Sequence, residues 1–157
     1  MGRRTIQQRI KAVAERFKGC KYLFMNWAQF NVELSEISND TPSIVYLLPP
    51  AGRFRFKNNG MSITDMPETQ IAFLIGTEQD FDGEANDELV EKMKRLAEMF
   101  IIALNESGDF EMIDGEEITY QVPYDTMDDN LTGVIINLPI VEFPNNMCKM
   151  PDEFGFE

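Results

Sequence analysis

The residues best equipped for chemistry are carboxylates. Glu78-Gln79-Asp80-Phe81-Asp82-Gly83-Glu84 is the densest group, and Asp80, Asp82 and Glu84 alternate like the opening of a calcium loop. Ala85 stands where an EF-hand requires glycine, and no helix of that motif precedes the group, so no metal is expected there. The spacing instead reads as a solvated loop that feeds negative charge toward the start of a following helix. Asp80, Asp82 and Glu84 are then the acidic side of a candidate protein contact. Asp125, Asp128 and Asp129 read as turn formers, since Asp side chains bond their own backbone in tight turns.

The chain has no histidine. That removes Ser–His and Cys–His nucleophile activation, imidazole general-base chemistry and most zinc sites. No Gly-x-Ser-x-Gly, Walker A or Gly-x-Gly-x-x-Gly motif occurs, so no cofactor is expected and catalysis is left to carboxylates alone. The other candidate is Arg53-Phe54-Arg55-Phe56-Lys57. Cations interleaved with aromatics can track a phosphate backbone and stack bases. At strand spacing the two sets point to opposite faces, so they cannot engage one nucleic-acid strand together. Arg53, Arg55 and Lys57 are read as a protein-contact arm, with Phe54 and Phe56 turned to the core. Trp27 and Phe30 are read as core rather than as an exposed anchor.

Charge is divided along the chain. Residues 1–60 carry 10 Lys or Arg against 4 Asp or Glu, and residues 61–157 carry 4 against 23, for a net charge of −13. This acidity argues against sequence-specific nucleic-acid binding and against an anionic membrane. It is compatible with solubility alone, or with copies that meet unlike face to unlike face. No apolar run reaches the roughly 18 residues of a membrane span. The Met1–Ile6 start lacks the apolar core of a secretory signal. Cys20 and Cys148 lie far apart and read as free thiols in a reducing compartment.

The elements that must position these groups follow from periodicity. Thr5 to Phe17 reads as a helix with Ile6, Ile10, Val13, Ala14 and Phe17 inward and Gln7, Arg9, Lys11 and Arg16 on the wet face. Asn86 to Asn105 reads as a second helix, capped by Asn86, with Leu89, Met93, Leu96, Ala97, Phe100, Ile101 and Leu104 in one stripe. Strands are expected at 22–27, 43–48, 53–57, 61–65, 69–75, 110–113, 118–122 and 131–143, and 28–37 fits strand or helix. Residues 43–48 are apolar throughout and should be central. Asn58-Asn59-Gly60 marks a hairpin turn. Residues 144–157 show neither period and read as a tail. The sum is one α+β domain over 1–143, a mostly antiparallel sheet with two helices on one face and a protruding hairpin.

This order resembles the tail terminator (tail completion) proteins of long-tailed bacteriophages and prophages. The match runs through the first helix, Asn26-Trp27, Pro42 to Leu47, the charged hairpin, Gln70 to Ile75, the central helix and the closing strands. The resemblance implies a non-enzymatic virion protein, assembled in the host cytoplasm as a hexameric ring that caps the tail tube and meets tail-tube or neck proteins. A carboxylate-metal enzyme acting through Asp80, Asp82 and Glu84, and a monomeric host adaptor using the 53–57 hairpin, are the alternatives. The charge division suggests that Arg53, Arg55 and Lys57 of one copy meet acidic surface of the next.

Overall fold

A computed structural model describes residues 4–26, 40–76, 83–123, 131–146 and Gly155. In chain order its elements are α1 (Ile6–Ala14), β1 (Lys21–Met25), β2 (Ser43–Leu47), β3 (Gly52–Lys57), β4 (Ser62–Gly76), α2 (Gly83–Ser107), β5 (Tyr120–Gln121), β6 (Leu131–Pro139) and β7 (Asn145–Asn146). The fold is α+β, with a largely antiparallel sheet in the order β1-β2-β4-β6-β5. Among the described strands only β1 and β2 run parallel.

The organising element is β4. The sequence reading splits it into 61–65 and 69–75, whereas the chain runs through as one strand of 15 residues. Its later half pairs with β2 and β6, and its earlier half pairs with β3 on one side and β7 on the other. Pro67, which suggests a break, is tolerated because it faces Gly52. A Cβ on Gly52 would stand 2.9 Å from Pro67 Cα, so a side chain there would push the pair apart.

Side chains alternate across this sheet and build two cores. Ile44, Tyr46, Ile71, Phe73, Val134 and Ile136 face the helices and pack with Ile10 and Val13 of α1 and Met93, Phe100 and Leu104 of α2. Both helices therefore lie on one face, as their stripes require. Met25, Val45, Leu47, Ala72, Leu74 and Ile135 form a second buried cluster on the opposite face. That cluster explains why β2 is apolar at every position: it is buried on both sides.

Local chemistry fixes the helix ends. Thr5 caps α1 in a capping box: its Oγ1 accepts from Gln8 N (3.1 Å), and Gln8 Oε1 accepts from Thr5 N (2.8 Å). The α1 helix stops at Ala14, and Phe17 beyond it reaches the Phe100 ring at 6.1 Å. α2 begins at Gly83, earlier than expected, so Asn86 is not its cap. It sits inside the helix, 6% exposed, in the inward stripe one turn before Val90. Gly108 takes a φ of +70° and ends α2.

Four further expectations change. Residues 110–113 are not a strand; Asn105 holds them through Ile113, donating to its O (3.1 Å) and accepting from its N (2.9 Å). Within 118–122 only Tyr120 and Gln121 form strand, opposite Ile136 and Ile135. β6 ends at Pro139, and the start of the expected tail, Asn145–Asn146, pairs with Ser62 and Ile63. Arg9 is not on the wet face. It is 5% exposed, ion-pairs with Glu142, donates to Asp109 O (3.0 Å) and lies 4.5 Å over the Phe110 ring. A buried guanidinium needs such partners, and they come from segments about a hundred or more positions away. Among the described residues, no helix is long and apolar enough to cross a membrane.

Candidate interaction surface

The β3–β4 hairpin continues past the strands of the main sheet. Asn58, Asn59 and Gly60 take φ values of 55°, 58° and 81°, the left-handed turn that Asn and Gly accept most readily. Residues opposed across an antiparallel pair share a face. Arg53, Arg55 and Lys57 therefore stand with Met66, Thr64 and Ser62, and Phe54 and Phe56 stand with Asp65 and Ile63.

The two faces are the reverse of the expected ones. Thr64 and Ser62 are buried on the cationic face, and Arg55 is half-buried with its guanidinium 4.0 Å from Glu111. Phe54 and Phe56, expected in the core, are 68% and 65% exposed. Alternation states which side chains share a face; it does not state which face the rest of the chain covers. Here the acidic 111–117 segment supplies Glu111 to the cationic side, where an ion pair with Arg55 forms. Arg53 and Lys57 remain exposed.

The aromatic face continues into a groove of about 730 Å³ at the hairpin's root, between Phe54, Leu48, Pro49, Phe24, Tyr46 and Asp65. Phe24 stacks on Tyr46 at 5.4 Å, and Phe24 and Leu48 are each about half exposed. Phe143 is also exposed, and its neighbour Glu142 donates its N–H to Asp65 O at 3.1 Å. Several large apolar side chains thus border one side of the molecule, the arrangement that marks a contact surface in soluble proteins. Burial, and then the nearby Glu142, push the Asp65 carboxyl above its ordinary range, and burial pushes the Tyr46 phenol up to about 12.

A second cleft, about 600 Å³, lies between Arg53 and Glu116–Glu117. Its floor carries a polar row in which Gln70 Nε2 donates to Asn137 Oδ1 (2.7 Å) and Asn137 Nδ2 donates to Thr119 Oγ1 (2.8 Å). These groups satisfy one another across neighbouring strands, which suits holding register more than engaging a reactant.

Of the predicted acidic residues, Glu84 is exposed in the first turn of α2. Asp80 and Asp82 lie outside the described residues, as do Trp27, Phe30, Asp125, Asp128 and Asp129. Among the described residues no group of three or more Asp, Glu or Cys side chains is gathered closely enough to hold a metal ion. Sequence reasoning missed Glu111 as the partner of Arg55, and missed the Arg9–Glu142 pair behind Asp65. No local signal points to either, because each joins residues brought together only by the fold. No known protein family matches this chain, and no curated protein is detectably similar to it.

Proposed function

We propose that the protein is a non-enzymatic structural component of a bacteriophage particle, a tail terminator or head–tail joining protein that assembles into a ring at the end of the tail tube. Its partners are further copies of itself, in a ring that the family resemblance sets at six, and tail-tube or neck proteins. The observation that supports this reading is the hairpin, which stands off the α+β core with Phe54 and Phe56 exposed. Head-to-tail contacts join two different surfaces of one chain and close into a ring when the rotation allows.

Magnitudes assign the roles within that contact. Fully burying a Phe stabilises by about 1.5–3 kcal/mol, whereas an exposed ion pair contributes about 0–1 kcal/mol. The phenylalanines hold the contact, and Arg53 and Lys57 select its register. Arg55 contributes less than the sequence suggests, because Glu111 of the same chain already faces it.

Size-exclusion chromatography with light scattering tests this. The wild-type chain should exceed the mass of one copy at raised concentration. Phe54→Ser with Phe56→Ser should return it to the monomer, and Arg53→Glu with Lys57→Glu should weaken it less. A monomer at every concentration and at both 0.1 M and 1 M salt would sink self-assembly. That outcome is the one expected of a monomeric adaptor using the same face.

A further inference from the structure

The last five residues of the sequence, Glu153-Phe154-Gly155-Phe156-Glu157, carry the alternation of β3 with the charge reversed. β3 ends in Arg53-Phe54-Arg55-Phe56-Lys57. Laid antiparallel, Arg53 opposes Glu157, Phe54 opposes Phe156, Phe56 opposes Phe154 and Lys57 opposes Glu153. The middle position sets Gly155 against Arg55. Among the described residues that is the one cation of the three with an ion-pair partner, Glu111 at 4.0 Å, so it needs no second carboxylate. Every pair is therefore complementary in charge, in ring character or in space.

We propose that β3 is an acceptor edge for the Glu153–Glu157 segment of a second copy of this chain, which adds to the hairpin as a further antiparallel strand. The proposal rests on the self-assembly reading above and identifies the contact that carries it. Among the described residues β3 pairs with β4 alone, and no described strand lies along its outer backbone edge. Main-chain hydrogen bonds along that edge give affinity, and alternate side chains give specificity. The incoming phenylalanines would cover Phe54 and Phe56 on one face, and the incoming carboxylates would reach Arg53 and Lys57 on the other. Within a single chain both rings stay exposed, and Gly155 is itself exposed at a φ of +70°, outside any strand. Glycine is the residue that can leave that conformation for an extended one at no steric cost. Both patterns read almost alike from either end, so backbone geometry sets the direction, and antiparallel ladders are the slightly more stable kind.

The test combines light scattering on the 157-residue chain with anisotropy of a fluorescein-labelled Pro-Asp-Glu-Phe-Gly-Phe-Glu peptide. Phe154→Ser with Phe156→Ser should weaken self-association about ten-fold or more, the loss of two aromatic pairs. The same doubly substituted chain, with β3 intact, should bind the peptide, and a chain carrying Phe54→Ser and Phe56→Ser should not. Lys57→Glu should weaken assembly by up to about five-fold, and adding Glu153→Lys should restore it, which reports the register directly. Assembly unchanged by Phe154→Ser with Phe156→Ser overturns the strand exchange and leaves the self-assembly reading standing. A chain that stays monomeric and an acceptor that ignores the peptide overturn both. A chain that stays monomeric while the Phe154→Ser, Phe156→Ser variant binds the peptide means each tail occupies its own β3, which overturns exchange between copies.

Discussion

Phe100→Ala and Phe54→Ala remove the same atoms from opposite surroundings, and their contrast tests which face of the hairpin is dry. Phe100 is 0% exposed, with Phe73 edge-on at 5.6 Å and Phe17 at 6.1 Å, so it joins α2 to the sheet and to the end of α1. Truncating such a residue loses the transfer free energy and leaves a cavity, about 3–5 kcal/mol together. That is a large share of the ~5–15 kcal/mol by which domains are stable, and it corresponds to a fall in Tm of about 6–20 °C at this chain length. Phe54 is 68% exposed. Only about a third of its burial value is at stake, which predicts a cost of about 0.5–1 kcal/mol. Urea unfolding followed by circular dichroism, at a concentration where the chain is monomeric, measures both, and an unchanged m-value would show that the same cooperative unit unfolds. If Phe54→Ala costs as much as Phe100→Ala, the aromatic face is covered and the interaction surface does not exist. If Phe100→Ala costs less than about 1 kcal/mol, the packing of α2 on the sheet is wrong.

Two further substitutions probe the frame that holds the hairpin. Asp65 binds its proton more tightly folded than unfolded, because its carboxyl is raised above 3.8, so stability falls as pH rises from 3.8 through the raised value. Asp65→Asn should therefore raise Tm at pH 7 and change it little at pH 4; a loss of stability at pH 7 would mean the carboxylate is favourably bound. Gly133 has a φ of +152°, and a Cβ there would stand 1.9 Å from the Phe73 carbonyl oxygen across the β4–β6 ladder. Gly133→Ala should cost on the order of 3 kcal/mol or more, and a fall in the urea midpoint equivalent to less than about 1 kcal/mol would show that the ladder yields there.

By itself the sequence determined the periodic features: the inward stripes of α1 and α2, the double-sided burial of β2, the Asn58-Asn59-Gly60 turn, and the separation of cations from phenylalanines along β3. Each follows from spacing within one segment, and spacing is visible without a fold. Only the tertiary structure decided that Phe54 and Phe56 face outward, that Arg9 is buried, that Asn86 lies inside α2, and that β4 runs unbroken past Pro67. These depend on partners distant in the chain: Glu111 for Arg55, Glu142 for Arg9 and Gly52 for Pro67. An alternating strand offers two faces of fixed composition, and the segments that arrive beside it choose which one is covered. For such a strand the choice of buried face belongs to the assembled neighbourhood, and the alternation alone does not encode it.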